Sequence, residues 1–334
     1  MREARIVIIG FGLIGRGTAR TLAEKRDYIR KKLGTDLKVV GICEHNGSVW
    51  DDRGISLKSA LSKPLNRMSG WRKEKALDLL SPGSADIVLE LTPGNIKTGE
   101  PGLSHMKAAL RNGINVVTSN KSPLALKYNE LMGLAEKHRV SLKYEATVGG
   151  AIPIINTYLN SLQINEVESA YGILNGTTNF ILSKMFDEGV EFDSALKEAQ
   201  ELGYAEPDPT YDITGVDTAA KVVILANTFM ERAVSYKDLK VEGITDVTQE
   251  ALELARKHNY AIKLIGDVSQ LEVSPRLVPI SHPLNVSGSL NAIMLKTDVA
   301  GEITLIGKGA GPRETSSAVL GDVLEIVSKI QHGR

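Results

Sequence analysis

The first half of the chain alternates short apolar runs, rich in Val and Ile, with longer stretches of helical period. Ile6–Ile9, Lys38–Cys43, Ile87–Leu91, Asn115–Thr118 and Ser141–Tyr144 read as strands. The stretches between them are long enough for crossovers, the pattern of a parallel sheet with helices on both faces. Asp52–Gly70 is polar and less regular, which predicts a surface excursion with a short helix. The pattern changes after Gly149-Gly150. Helical stretches are expected over 154–161, 178–187, 193–202, 214–228 and 248–257. Strands are expected over 167–174, 262–268, 271–278, 292–295 and 303–306. Consecutive strands with short links predict a mixed or antiparallel sheet, hence an α+β second domain. The final segment, Arg313–Ile330, puts Val319, Val323, Val327 and Ile330 on one face of an amphipathic helix.

Composition narrows the classes. With 334 residues there is room for two domains with buried cores. Lys+Arg 40 against Asp+Glu 40 leaves no net charge, which removes the electrostatic argument for nucleic acid or an anionic membrane. Cys43 is the only cysteine, so no intrachain disulfide can form. The N-terminus lacks a signal-peptide pattern, and no apolar run is long enough to span a bilayer. A cytoplasmic protein is expected.

The first strand runs directly into Gly10-Phe11-Gly12-Leu13-Ile14-Gly15, which opens a helix. Gly10 suits a tight turn, Gly12 lets backbone approach a pyrophosphate, and Gly15 lets helix and sheet pack closely. The helix N-terminus then offers free N–H groups to the phosphates of a dinucleotide. Glu44, at the end of the second strand, stands where an acidic residue accepts hydrogen bonds from the adenine ribose and repels a 2′-phosphate. Arg53 and Lys58 could attract that phosphate, or else are surface residues of the excursion. NAD and NADP therefore both remain open.

The third strand delivers Leu91-Thr92-Pro93-Gly94-Asn95 to the carboxyl edge of the sheet, where ligands of open α/β sheets bind. The fourth delivers Thr118-Ser119-Asn120-Lys121, with Lys121 just beyond a buried strand. In the second half, Gly172-Ile-Leu-Asn-Gly176-Thr177-Thr178-Asn179 is a strand-to-helix junction, for which Thr177 or Thr178 could serve as N-cap. A loop with Glu206, Asp208, Asp212 and Asp217 follows, its course restricted by Pro207 and Pro209. A helix beginning near Thr214 sets Asp217 and Lys221 one turn apart on one face. Carboxylates of this kind suit capture of an ammonium group, and a lysine beside them could move a proton. Asp208, next to Pro209, could serve only to shape the turn. Near the end, Gly307-Lys-Gly-Ala-Gly311 precedes the last helix.

The spacing Ala199, Gly203-Tyr204, Asp208-Pro209, Asp212-Ile213, Gly215, Asp217 and Lys221 resembles the signature of homoserine dehydrogenases. Asn120-Lys121-Ser122-Pro123-Leu124-Ala125 is similar to the same family's Asn-Lys-x-Pro-Leu-Ala element. The resemblance implies a Rossmann-type nucleotide domain, 1–148, rejoined by a return helix, 309–334. It implies a substrate and dimerisation domain over 149–308, in a short form without a C-terminal regulatory domain. Lys221 would be the acid–base group, with Lys121 assisting. Gly176, Thr177, Tyr204, Glu206, Asp212 and Asp217 would hold the amino-acid substrate, aspartate semialdehyde or homoserine. Thr92, Asn120, Lys121 and Gly311 would join the glycine-rich turn and Glu44 around NADP or NAD. The hinge Glu145–Pro153 would hold a monovalent cation such as sodium through Glu145, Val148, Gly150 and Ile152, or be a structural hinge alone. A homodimer is implied. The rivals are another dehydrogenase of a small amino or oxo acid, and a non-catalytic NAD(P)H-binding redox sensor.

Overall fold

In a computed structural model, described over residues 2–230 and 232–331, the apolar runs of the first half pair as expected. The strands are β1 (Arg2–Ile9), β2 (Thr35–Glu44), β3 (Gly47–Trp50), β4 (Trp71–Arg72), β5 (Ile87–Glu90), β6 (Asn115–Thr118) and β7 (Leu142–Lys143). They lie in the order β4-β3-β2-β1-β5-β6-β7. β2, β1, β5, β6 and β7 are parallel. The order reverses beside β1, and the loops after β1 and β5 therefore share one edge of the sheet. The crossovers carry α1 (Leu13–Leu33), α2 (Leu57–Ser62), α3 (Ala76–Leu79), α4 (Gly102–Arg111) and α5 (Lys121–His138). β3 and β4 were not expected. They add antiparallel strands at the β2 edge, where short turn-rich runs of two to four residues carry little periodic signal.

Val148–Ala310 forms a second unit. Its helices are α6 (Ile154–Ser161), α7 (Gly176–Glu188), α8 (Phe192–Glu201), α9 (Thr210–Ile213), α10 (Val216–Phe229) and α11 (Gln249–Lys257). Its strands are β8 (Val167–Ile173), β9 (Lys240–Val241), β10 (Tyr260–Asp267), β11 (Glu272–Pro279), β12 (Leu290–Thr297) and β13 (Gly301–Lys308). They form a sheet in the order β13-β12-β8-β10-β11-β9, antiparallel except where β9 meets β11. Ile173, Ile265, Val278, Leu284, Ala292 and Met294 form one of its apolar clusters. The helix expected over 214–228 is α10, and the short α9 before it was not foreseen. Gly215 adopts φ 81°, which ends α9 and restarts the chain as α10 at Val216.

From Gly311 the chain belongs again to the first unit, as α12 (Pro312–Gln331). Val319, Val323 and Val327 are buried in one core with Ala19 and Leu22 of α1 and with Ile6, Ile8, Ile87 and Leu89 of the sheet. Ile330, expected on the same face, is 51% exposed, and Ile326 is buried instead. Ile330 lies in the last turn of α12, one residue from the end of the helix.

Candidate active site

The glycine-rich turn is built as its spacing requires. Gly10 adopts φ 91°, and a Cβ there would lie 2.7 Å from the Leu91 carbonyl. Its N–H donates to the Cys43 carbonyl at 2.9 Å, joining the turn to the end of β2. A Cβ on Gly15 would overlap the Gly10 carbonyl oxygen, whereas one on Gly12 would meet nothing within 4 Å. Gly12 therefore faces open space at the start of α1, and no side chain caps that helix. This is the geometry of a pyrophosphate cradle. Gly311 immediately precedes α12, which packs on α1. A Cβ on Gly17 of α1 would stand 3.1 Å from the Pro312 carbonyl, and Thr18 Oγ1 donates to Ser316 Oγ at 3.2 Å.

Beside the turn, Glu44 borders a cavity of about 400 Å³ lined also by Arg16, Asn46, Leu61, Lys63 and Asn66. The Arg16 guanidinium lies over the Phe11 ring at 4.9 Å and donates to the Leu61 carbonyl at 3.4 Å. Arg53 and Lys58 do not line this cavity. Arg53 is engaged with Asp51, its Nε 3.2 Å from Oδ1. The cations next to Glu44 are Arg16 and Lys63, which were not singled out in the sequence. Burial raises the adjacent Cys43 thiol to about 11, so it stays protonated.

At the neighbouring strand ends, Asn120 is the N-cap of α5, its Oδ1 accepting from the Ser122 N–H at 3.2 Å. Lys121 is thereby the first residue of the helix. Thr92 and Asn120 meet, with Asn120 Nδ2 3.3 Å from Thr92 Oγ1.

In the second unit, α10 is apolar nearly all round and buried from Thr218 to Phe229, and it carries Lys221 inward. Lys221 is 6% exposed, and its ammonium donates to Asp217 Oδ2 and to the Leu174 carbonyl, both at 2.6 Å. Asn175 completes the cluster. Its Nδ2 donates to Asp212 Oδ1 at 2.7 Å and to Asp217 Oδ2 at 2.9 Å, while its Oδ1 accepts from the Thr178 N–H at 2.9 Å. Desolvation, and then the negative charge of Asp217, raise the Asp212 carboxyl above its ordinary value. A carboxylate so placed gains from a nearby cation.

Two family models cover the chain. The homoserine dehydrogenase NAD-binding domain matches residues 10–145, and the homoserine dehydrogenase domain matches 153–324. The chain belongs to the homoserine dehydrogenase family. A homoserine dehydrogenase of Methanocaldococcus jannaschii is 49% identical over 96% of this chain and 98% of its own length. An NAD(+)-dependent homoserine dehydrogenase of Pseudomonas canavaninivorans is 35% identical, covering 98% and 97% of the two chains. Among solved structures, a candidate homoserine dehydrogenase of Archaeoglobus fulgidus superposes with a TM-score of 0.90 at 44% identity, covering 97% and 99%. A hyperthermophilic archaeal homoserine dehydrogenase mutant in complex with NADPH gives 0.85 at 30%, covering 98% of each chain. As a homoserine dehydrogenase the protein is an NAD(P)-dependent oxidoreductase of amino-acid biosynthesis.

Against that family pattern, one local expectation is corrected. The N-cap of α7 is Asn175, not Thr177 or Thr178. Thr177 Oγ1 instead donates to the Tyr204 carbonyl at 2.7 Å, which ties the acidic loop to the start of α7. A Cβ on Gly176 would stand 2.7 Å from the Ser289 carbonyl, so the first turn of α7 is pressed against the chain before β12. The Tyr204 ring packs on Phe180 with centroids 4.9 Å apart, and Glu206 is exposed. Asp208 accepts from the Thr210 N–H at 3.1 Å, the turn-shaping contact open to a residue before Pro209. At the hinge, Gly149 and Gly150 both have positive φ, 76° and 56°, and the Ala151 N–H donates to the Lys308 carbonyl at 3.0 Å. No cluster of three or more His, Cys, Asp or Glu suited to a metal is found among the described residues. Among them also, no helix is long and apolar enough to cross a membrane.

Proposed function

We propose that the protein interconverts L-aspartate 4-semialdehyde and L-homoserine, using NADP or NAD, with Lys221 as the acid–base group. The observation that carries this reading is the buried Lys221 ammonium, fixed by Asp217 and the Leu174 carbonyl beside the unsettled carboxylate of Asp212. A bound nicotinamide would supply hydride at its C4 to the aldehyde carbon. Lys221 Nζ would give a proton to the oxygen as it becomes an alcohol, and would take that proton back in the reverse direction. Lys121 assists electrostatically or acts as an alternative acid. Free N–H groups at Gly176 and Thr177 suit the substrate carboxylate, as helix N-termini do. Glu206 and Asp212 suit its ammonium, Tyr204 lies with them, and Asp217 orients Lys221.

The residues present fit the cofactor. Gly10, Phe11, Gly12, Leu13, Ile14 and Gly15 would cradle the pyrophosphate, and Gly311 would add a backbone contact to the cofactor. Thr92, Asn120 and Lys121 would border the nicotinamide. Glu44 would take the adenine ribose, while Arg16 and Lys63 could receive a 2′-phosphate in the same cavity. That mixture supports use of both cofactors, in line with an NAD(+)-dependent relative and another in complex with NADPH.

Glu145, Val148, Gly150 and Ile152 are the candidate ligands of a monovalent cation. Carbonyl oxygens at a turn with consecutive positive φ are hard donors that suit sodium. The position of β13 as an outer strand of its sheet, with Ile306 52% exposed, supports a homodimer through the second unit. A reduced, buried Cys43 is compatible with the cytoplasm.

Steady-state assays with aspartate semialdehyde and each reduced cofactor test the reading. Turnover with both NADPH and NADH is expected, and absence of turnover with either would overturn it.

A further inference from the structure

Glu90 ends β5 as the one charged residue in an otherwise apolar run, and it is fully buried. An ionised carboxylate in such a place is costly unless donors surround it. Here they do. Glu90 Oε1 accepts from the Thr92 N–H at 3.0 Å, from the Thr92 hydroxyl, and at 3.5 Å from Asn120 Nδ2. Oε2 lies 2.8 Å from Nδ1 of His105, itself buried in α4. The backbone oxygen of Glu90 accepts from Thr118 Oγ1 at 2.9 Å, and that hydroxyl oxygen accepts from the Asn120 N–H at 2.9 Å. A Cβ on Gly102 would lie 2.5 Å from Asn120 Nδ2 and 3.1 Å from Glu90 Oε1, so α4 closes over the network as tightly as a missing side chain allows.

These contacts fix which way Asn120 faces. With Nδ2 turned to Glu90 and Thr92, its Oδ1 is left to accept from the Ser122 N–H and start α5. Lys121 follows Asn120 directly. The carboxylate thus joins the loop after β5 to the helix start after β6, and both loops border the same edge of the sheet.

We propose that Glu90 is a positioning residue for the reaction: through Thr92 and Asn120 it sets the first turn of α5, and with it Lys121, while His105 holds the second carboxylate oxygen. This rests on the role proposed for Lys121. Glu90→Gln keeps the shape but loses the charge and one acceptor oxygen. Misplacing a group by about an ångström can cost on the order of 100-fold in rate, so a kcat loss between about 10- and 100-fold is expected. NAD(P)H should still bind.

The test is a double-mutant cycle with Lys121→Ala, read as kcat and KM, alongside thermal melting. The expected result is that Glu90→Gln lowers kcat in the parent enzyme and adds almost nothing in the Lys121→Ala background. His105→Gln should show the same pattern with a smaller loss, and it carries the cycle by itself if Glu90→Gln does not fold. Kinetic constants that stay at parental values while the melting temperature falls would overturn the proposal. So would losses that multiply independently in the double variant, and in both cases the role of Lys121 would stand. A Lys121→Ala enzyme with parental kcat and KM would remove that role and the proposal together.

Discussion

Lys221 Nζ and Asp217 Oδ2 lie 2.6 Å apart, one helical turn from each other on α10, and both are largely withdrawn from water. A pair this buried is held by geometry rather than by surface attraction, and its lysine has few other orientations. If Lys221 delivers the proton, its loss strikes the chemical step. Lys221→Ala should lower kcat by ~10²–10⁴-fold while NAD(P)H affinity, measured by fluorescence titration, is unchanged. Lys121→Ala should show a larger share of its damage in KM. Near-normal kcat for Lys221→Ala would move the acid role to Lys121 or to water.

Asp212 offers a trade between stability and binding. Its carboxyl titrates above the ordinary range because of desolvation first and the Asp217 charge second. The folded chain therefore holds a proton that the unfolded chain has released, and stability is lost as pH rises through that window. Asp212→Asn removes the loss. The variant should melt higher than the parent at pH 7, with the gap closing below about pH 4, where the aspartate is protonated in both states. Its KM for homoserine should rise, since an amide is a poor partner for an ammonium. A lower melting temperature at every pH would show that the bond from Asn175 outweighs the charge.

Much of this arrangement was legible in the sequence, for reasons that particular residues make plain. Gly10 and Gly15 leave no room for a Cβ, and Gly12 leaves open space at the helix start, so their spacing announces the turn. Asp217 and Lys221 are related by helical period, which survives without tertiary knowledge. Asn175 was not foreseen as the bridge between Asp212 and Asp217, because its partners lie 37 and 42 residues away. Only its place at a strand-to-helix junction hinted at a cap. Arg16 and Lys63 come together with Glu44 through the folding of α2 against α1, a packing no local pattern encodes. Arg53 looked equally suited until Asp51, two residues before it, took its charge.

If the cavity beside Glu44 receives the adenine ribose, charge there should distinguish the two cofactors. Glu44→Gln should improve NADP(H) affinity and leave NAD(H) unchanged or weaker, because a repulsive carboxylate is removed from the 2′ position. Lys63→Ala should weaken NADP(H) alone. Dissociation constants for both cofactors with both variants check this. If Glu44→Gln shifts neither constant, Glu44 does not face the ribose.

Gly15 tests the turn itself. A Cβ there would overlap the Gly10 carbonyl oxygen, which is backbone and cannot rotate away. Gly15→Ala should therefore push α1 off the sheet and abolish dinucleotide binding, whereas Gly12→Ala meets nothing in the protein. Any loss of affinity in Gly12→Ala must then come from the ligand's side. Gly15→Ala with parental NAD(P)H affinity would show that the turn relaxes.

Lys263 of β10 is buried outside the Lys221 cluster, its Nζ within 3.0 Å of Asn179 Oδ1, 3.1 Å of Ser183 Oγ and 2.9 Å of the Val286 carbonyl. All three partners are neutral. Desolvation lowers its amine to about 8, opposed by the charge of Asp187. An unfolded lysine titrates near 10.4. Between those values the unfolded chain binds more protons than the folded one, so the stability of the fold rises with pH across about 8 to 10.4 and the full cost is present below. At 1.36 kcal/mol for each pKa unit, the integrated gain is on the order of 3 kcal/mol. Lys263→Met has no such titration. Denaturant midpoints measured from pH 7.5 to pH 10 should show the parent gaining on Lys263→Met as pH rises. Parallel curves for the two proteins would mean that water reaches the ammonium and that its burial costs the fold nothing.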